Sequence, residues 1–206
     1  MPLSPDVVRE NYARIREEVG PGVTVVAATK YVSVDDLGVL AEAGVEVAGE
    51  NRLQDLAEKH ARYGNAFRWH FIGHLQSRKA REVSELCELC HSLASSSAAR
   101  RLTIPALVEV NLSGEESKSG VAPEALAAFL VEAREAGVQV SGLMTMPPLA
   151  ADPEASRPYF RRLRGLAGEH DLREPRHRRG EEVGPFEPTR RVGRPGEQIL
   201  GGPEVA

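Results

Sequence analysis

The chain has 206 residues, of which 41% are hydrophobic and 27% charged, and its formal net charge at pH 7 is −4. This composition is typical of a globular protein with a sizeable core, and the slight acidity argues against a surface that attracts nucleic acid or an anionic membrane. No apolar run approaches the roughly 20 residues of a membrane span, and the first residues lack the pattern of a signal peptide. We therefore expect a cytoplasmic protein that binds neither nucleic acid nor membrane.

Strand-like and helix-like segments alternate over the first 170 residues. Apolar runs rich in β-branched residues predict strands over residues 23–29, 45–49, 68–72, 86–93, 106–111 and 138–144. Periodic segments predict helices over residues 4–19, 33–43, 51–63, 77–85 and 123–136, a short one within 94–102 and a last one ending near 168. Six strand–helix steps in this length favour an α/β fold of the (β/α)8 TIM-barrel type.

The composition changes after this alternating region. Residues 171–206 are dominated by Arg, Gly, Pro and Glu, and they contain no run of four apolar residues. Such a segment cannot easily supply two buried strands with their helices. We therefore divide the chain into a barrel domain, 1–170, and an atypical tail, 171–206, and expect a barrel that is incomplete at its last two strand–helix units.

Lys30 ends the first predicted strand, whose apolar residues predict burial on both faces. Parallel α/β folds build their sites at the carboxyl ends of the strands, so this amine lies where a ligand would bind. Partial burial would lower the pKa of the amine and free its lone pair, as in lysines that form Schiff bases. The alternative is a lysine that leaves the strand and extends into water.

Polar or flexible side chains also follow other strands. Asn51 comes just after the second strand, where it serves either a binding site or the N-terminus of the next helix as its N-cap. Met144 ends the sixth strand, where a methionine either fills the core or packs against a flat ring. Residues 111–120 predict a polar loop over a pocket. In a barrel, all of these strand ends converge on one mouth.

Two possible metal motifs are weak. His70 and His74 lie on either side of Gly73, so they do not share a helix face, and we favour a pocket-lining or positioning role for this segment over zinc binding. Cys87 and Cys90 form a lone CxxC pattern, which we interpret as two buried thiols. We therefore predict no metal site.

The order of the motifs resembles the pyridoxal phosphate homeostasis protein family, which is similar to the N-terminal barrel of bacterial alanine racemase. The block at residues 69–79 is the most specific part of this resemblance, which covers roughly residues 5–172. The matching segments are residues 28–30, 49–52, 69–79, 110–111 with 116–120, and 142–146.

The resemblance implies that Lys30 carries pyridoxal 5′-phosphate (PLP) as a Schiff base, with Asn51 and Met144 beside the cofactor. It implies a protein that binds or delivers PLP without substrate turnover, with no catalytic residues of its own, as a monomer or weak dimer, with apo-PLP enzymes as possible partners. The racemase's second domain, which supplies an opposing base, has no room in this chain. The alternatives are a degenerate cofactor-free barrel with an interaction role and a PLP-dependent amino-acid racemase.

The chain departs from the family pattern in two places. The stretch between Leu93 and Pro105 is short, and the Ser-Met-Gly-Met-Ser segment that helps relatives to bind the phosphate is absent after Leu172. Arg191 and Gly193 are the candidates for the family residues that approach the ring nitrogen and the phosphate. Because convergent backbone N–H groups normally hold a phosphate, we expect weaker cofactor binding than in intact relatives. A barrel without its seventh strand leaves the edge of the sixth strand exposed, so we also expect lower stability.

Overall fold

The structure, a computed structural model, describes residues 3–115, 119–150 and 152–172. These residues belong to a compact unit, Met1–Pro175, and the second unit, Arg176–Ala206, lies outside the described residues. The predicted division at residue 170 therefore stays a prediction.

Six parallel strands form one sheet in which each strand pairs with the next one along the chain. Because crossovers between parallel strands are right-handed, steps that always go in the same direction put the connecting helices on one face of the sheet. This is the winding of a barrel rather than of a doubly wound sheet. The predicted α/β barrel architecture is confirmed for these strands, and the last two units lie outside the described residues. The strands are β1 (Val26–Ala28), β2 (Val47–Glu50), β3 (Arg68–Phe71), β4 (Leu89–Leu93), β5 (Ala106–Glu109) and β6 (Val140–Met144).

The helices follow the predicted order, with boundaries that differ by a few residues. The segment between β4 and β5 holds a helix of only 4 residues, which confirms the short helix predicted there. Single 3₁₀ turns precede α4, α6 and α7. The helices are α1 (Pro5–Val19), α2 (Leu37–Glu42), α3 (Leu53–Tyr63), α4 (Ala80–Leu86), α5 (Ser96–Ala99), α6 (Leu126–Glu135) and α7 (Arg157–Glu169).

The core lies between the helices and the sheet. Leu37, Leu56 and Leu126 each come from a different helix, and all three are fully buried. They pack in the same cluster as Val108 of β5, and burial of such a side chain contributes roughly 2 kcal/mol. This packing holds the carboxyl ends of the strands in fixed positions.

The prediction that residues 23–29 form a strand buried on both faces was wrong. β1 has only 3 residues, Ala28 is exposed, and Val23 is 53% exposed. Among the described strands, β1 pairs with β2 alone, so the other side of its backbone has no described neighbour. A strand in this position cannot be covered as a central strand would be.

Candidate functional site

Lys30 and Asn51 lie at the carboxyl ends of neighbouring strands. β1 and β2 pair in the register Ala28 to Gly49, and the Thr29 backbone N–H continues the ladder by donating to the Gly49 carbonyl at 2.9 Å. Extending this register by two residues sets Lys30 beside Asn51. The structure thus brings together two of the predicted site residues.

The Lys30 side chain is exposed, so the prediction of partial burial was wrong. A turn closed by the Val32 N–H donating to the Thr29 carbonyl at 2.8 Å carries Lys30 away from the sheet. Its Nζ lies 5.0 Å from the centroid of the Tyr31 ring, which is itself on a residue that is 90% exposed. The amine is therefore accessible to a small molecule.

Asn51 does not cap the helix that follows it. α3 begins at Leu53, and the N-cap position belongs to Arg52. The Oδ1 atom of Asn51 is buried, and within the described part of the chain it accepts no hydrogen bond. The N-cap alternative is therefore wrong. A buried carbonyl without a donor costs about 1–3 kcal/mol, which leaves this oxygen as an acceptor for a ligand.

A buried ion pair lies beneath these two residues. Glu50 is 0% exposed and Lys59 of α3 is 4% exposed, and the Lys59 Nζ donates to Glu50 Oε2 at 2.6 Å. We did not predict this pair from the sequence. The available signal was Lys59 itself, because a lysine three residues after the buried Leu56 falls on the apolar face of the helix.

Gly73 is the point where the chain after β3 meets the chain after β2. A Cβ atom added at Gly73 would lie 2.0 Å from the Asn51 carbonyl oxygen and 2.6 Å from its carbon. Only glycine permits so close an approach of two backbones. The backbone of Asn51 is therefore constrained by the chain after β3, in addition to the pairing of β2 with β1.

Strand pairing does not set the other predicted site residues directly beside Lys30 and Asn51. Met144 is half-buried at the carboxyl end of β6, paired with Glu109 of β5. Like Lys30, it lies at the carboxyl end of its strand. The Lys30 strand, β1, and the Met144 strand, β6, are the first and last of the six described strands in the sheet order. Arg191 and Gly193 lie outside the described residues, as do residues 116–118 of the predicted polar loop.

Two histidines contact each other on β3 and β4. His70 is buried, its Nε2 lies 3.0 Å from Glu88 Oε1, and its Nδ1 lies 2.9 Å from His91 Nε2. Arg68 also binds Glu88, at 2.7 Å. Burial lowers the pKa of His70, and burial together with the neighbouring His70 lowers the pKa of His91 to about 4. His70 is thus held in a hydrogen-bonded network, and no three metal-ligand side chains cluster within the described ranges.

We predict from the lowered pKa of His91 that the free energy of unfolding decreases in acid. Because the folded pKa of His91 lies below its ordinary value of 6.5, the unfolded chain binds the proton first, and stability falls as the pH drops from about 6.5 towards 4. We expect a loss of about 1–2 kcal/mol between about pH 7.5 and pH 5, measured by urea unfolding. The variant His91→Gln should flatten this profile, and an unchanged slope in that variant would contradict the assignment.

Cys87 and Cys90 are both buried and free, which confirms the prediction of two buried thiols. Burial raises the pKa of Cys87 to about 12, so this thiol stays protonated and unreactive.

None of the described helices has the length and apolar character that a bilayer crossing requires.

Comparison with known proteins agrees with this architecture. A family model of the alanine racemase N-terminal domain matches residues 3–178. The chain belongs to this family. Within it, the chain is 36% identical to the pyridoxal phosphate homeostasis protein of Aquifex aeolicus, over 79% of this chain and 77% of that protein. It is 35% identical to the protein of the same name from Deinococcus radiodurans, over 74% of this chain and 76% of the relative.

Solved structures extend the comparison. PipY of Synechococcus elongatus, with PLP bound, is 28% identical with a TM-score of 0.72, covering 82% of this chain and 84% of PipY. Alanine racemase of Corynebacterium glutamicum is 17% identical with a TM-score of 0.66, covering 84% of this chain and 53% of the racemase, and it shows the shared fold alone. These findings confirm the family resemblance predicted from the motifs.

Proposed function

We propose that this protein binds pyridoxal 5′-phosphate on Lys30 and serves intracellular PLP homeostasis without turning over a substrate. The names of its relatives and the PLP-bound structure of PipY support this function. The observation that carries it is an exposed lysine beside a buried amide oxygen that has no partner among the described residues, at adjacent strand ends.

The residues present fit this cofactor. PLP supplies an aldehyde that condenses with a primary amine, and a flat ring whose hydroxyl group can donate a hydrogen bond. Lys30 offers an accessible amine, and Asn51 Oδ1 offers an acceptor that the described protein does not use. Met144 would pack against the ring, and Arg191 and Gly193 stay proposed contacts to the ring nitrogen and the phosphate.

Lys30 is tested by borohydride reduction of the protein mixed with PLP, followed by peptide mapping. We expect the reduced cofactor on Lys30 and its complete loss in the variant Lys30→Ala, which should fold normally because the side chain is exposed. The matched control is Lys79→Ala, because Lys79 also follows a strand, β3, and is only half-buried. A label that persists in Lys30→Ala would refute the proposed role, and a wild-type protein without label would favour a cofactor-free barrel.

Binding without turnover is the second part of the proposal. Proteins of the same fold include alanine racemase and lysine/ornithine decarboxylase, but the chain aligns with only about half of each, 53% and 49%. Racemisation by two bases needs an acid or base on each face of the substrate. We therefore expect no D-alanine after incubation of the PLP-loaded protein with L-alanine, measured by chiral chromatography. Delivery of PLP to apo-enzymes stays a prediction, as does the effect of the atypical tail on affinity.

A further inference from the structure

Thr29, Glu50 and Lys59 form a buried cluster, which we call the Lys59 clamp. All three residues are at most 4% exposed. The Lys59 Nζ donates to Glu50 Oε2 at 2.6 Å and to the Thr29 carbonyl at 2.8 Å. The Thr29 hydroxyl lies 2.9 Å from the same Glu50 oxygen, to which it donates, and 3.2 Å from the Gly49 carbonyl. The clamp therefore joins helix α3 to the ends of both β1 and β2.

Stability alone does not account for this arrangement. Removing two charges from water costs several kcal/mol per ion, and their attraction in the interior only about offsets this cost. Apolar side chains of similar size would often stabilise the same space equally well. The polar contacts of Lys59 and Glu50 therefore suggest a further role. Those contacts go to the Thr29 carbonyl, just before Lys30, and to the backbone N–H of Asn51.

The clamp fixes the backbone that carries Lys30. The Thr29 carbonyl accepts from the Lys59 Nζ and from the Val32 N–H, both at 2.8 Å. This carbonyl belongs to the planar peptide group that includes the Lys30 nitrogen. Holding the carbonyl from two directions therefore holds the turn from which the exposed Lys30 side chain projects.

The same carboxylate also holds Asn51. Glu50 Oε1 accepts the Asn51 backbone N–H at 2.9 Å, while Oε2 is used by Lys59 and Thr29. One buried carboxylate thus links the backbones on both sides of the site. The Asn51 backbone is thus bound by Glu50 on one side and closely approached by Gly73 on the other, and the Asn51 Oδ1 has no hydrogen-bond partner among the described residues.

We propose that Lys59 and Glu50 are positioning residues that set the spacing between Lys30 and Asn51 for the aldehyde cofactor. Neither touches the ligand in this role; they act through the Thr29 carbonyl and the Asn51 N–H. This inference rests on the proposed function, because it gives the clamp a purpose only if Lys30 binds the cofactor.

The test is the double variant Glu50→Gln with Lys59→Met, which removes both charges together and so avoids leaving one buried ion alone. We expect its unfolding temperature without cofactor to stay close to that of the wild type, while its affinity for PLP falls about tenfold, the scale typical of residues that orient a binding group. Affinity is measured by titration of the visible absorption of the bound cofactor. The wavelength of that absorption should also shift, because the ring would no longer meet Asn51 in the same position.

The matched control removes an exposed ion pair that also involves α3. Arg62 of α3 binds Asp35 at 2.5 Å, and Asp35→Asn with Arg62→Met should leave PLP affinity unchanged. The proposal is overturned if the folded double variant at Glu50 and Lys59 binds PLP with wild-type affinity, whether or not the variant is less stable. If borohydride fails to label Lys30 in the wild type, the proposed function fails; if the label is present, the affinity of the double variant decides the role of the clamp alone.

Discussion

Replacing Lys59 alone by methionine is expected to lower the free energy of unfolding by about 4 kcal/mol, the scale of a broken buried ion pair. The reason is that the Glu50 carboxyl group is 0% exposed and would lose its cationic partner in the interior. The remaining donors to Glu50 are the Thr29 hydroxyl and the Asn51 N–H, and neither carries a charge. Urea unfolding followed by far-ultraviolet circular dichroism near neutral pH measures the loss.

Two variants place this result in context. The double variant Glu50→Gln with Lys59→Met should recover most of the lost stability, because no unpaired ion remains. Arg62→Met, which breaks the exposed pair between α3 and Asp35, should leave the free energy of unfolding close to that of the wild type. If the single and double variants at the clamp were equally unstable, loss of packing rather than an unpaired charge would be the cause.

Gly73→Ala is expected to destabilise the protein by about 3 kcal/mol and to weaken cofactor binding. The added Cβ would lie 2.0 Å from the Asn51 carbonyl oxygen, a backbone atom that cannot rotate away. The chain after β2 would have to move, and Asn51 with it. Urea unfolding measures the first effect, and titration with PLP measures the second.

Gly165→Ala is the control for this substitution. Gly165 lies inside α7, and an added Cβ there would meet no atom within 4 Å. Alanine should therefore stabilise the helix by up to about 1 kcal/mol and leave the cofactor site unchanged. Equal stability changes at Gly73 and Gly165 would show that the contact with Asn51 does not constrain the chain.

Periodicity predicted the fold because each strand–helix step carries its own local signal. The order of β1 to β6 follows from those steps once the crossovers are taken as right-handed. The adjacency of Lys30 and Asn51 was predictable for the same reason, since each residue follows one of two consecutive strands. The motif at residues 69–79 then identified the family, which the comparisons confirm.

Contacts between distant residues were harder to predict. Glu50 and Lys59 are nine positions apart, and their contact depends on the angle at which α3 returns to the sheet. The same holds for Gly73, whose approach to Asn51 depends on the relative height of two strands. The exposure of Lys30 was missed because apolar composition describes the strand and gives no information on the turn that follows it.

Trp69 is the only tryptophan in the chain, and it lies 3% exposed on β3. Its ring centroid is 5.6 Å from that of Phe67 and 6.1 Å from that of His60. All indole fluorescence therefore originates from one place in the core, just before the strand end that supports Asn51. Because pyridoxal compounds absorb where indole emits, energy transfer from this single fluorophore would report cofactor occupancy without any added dye.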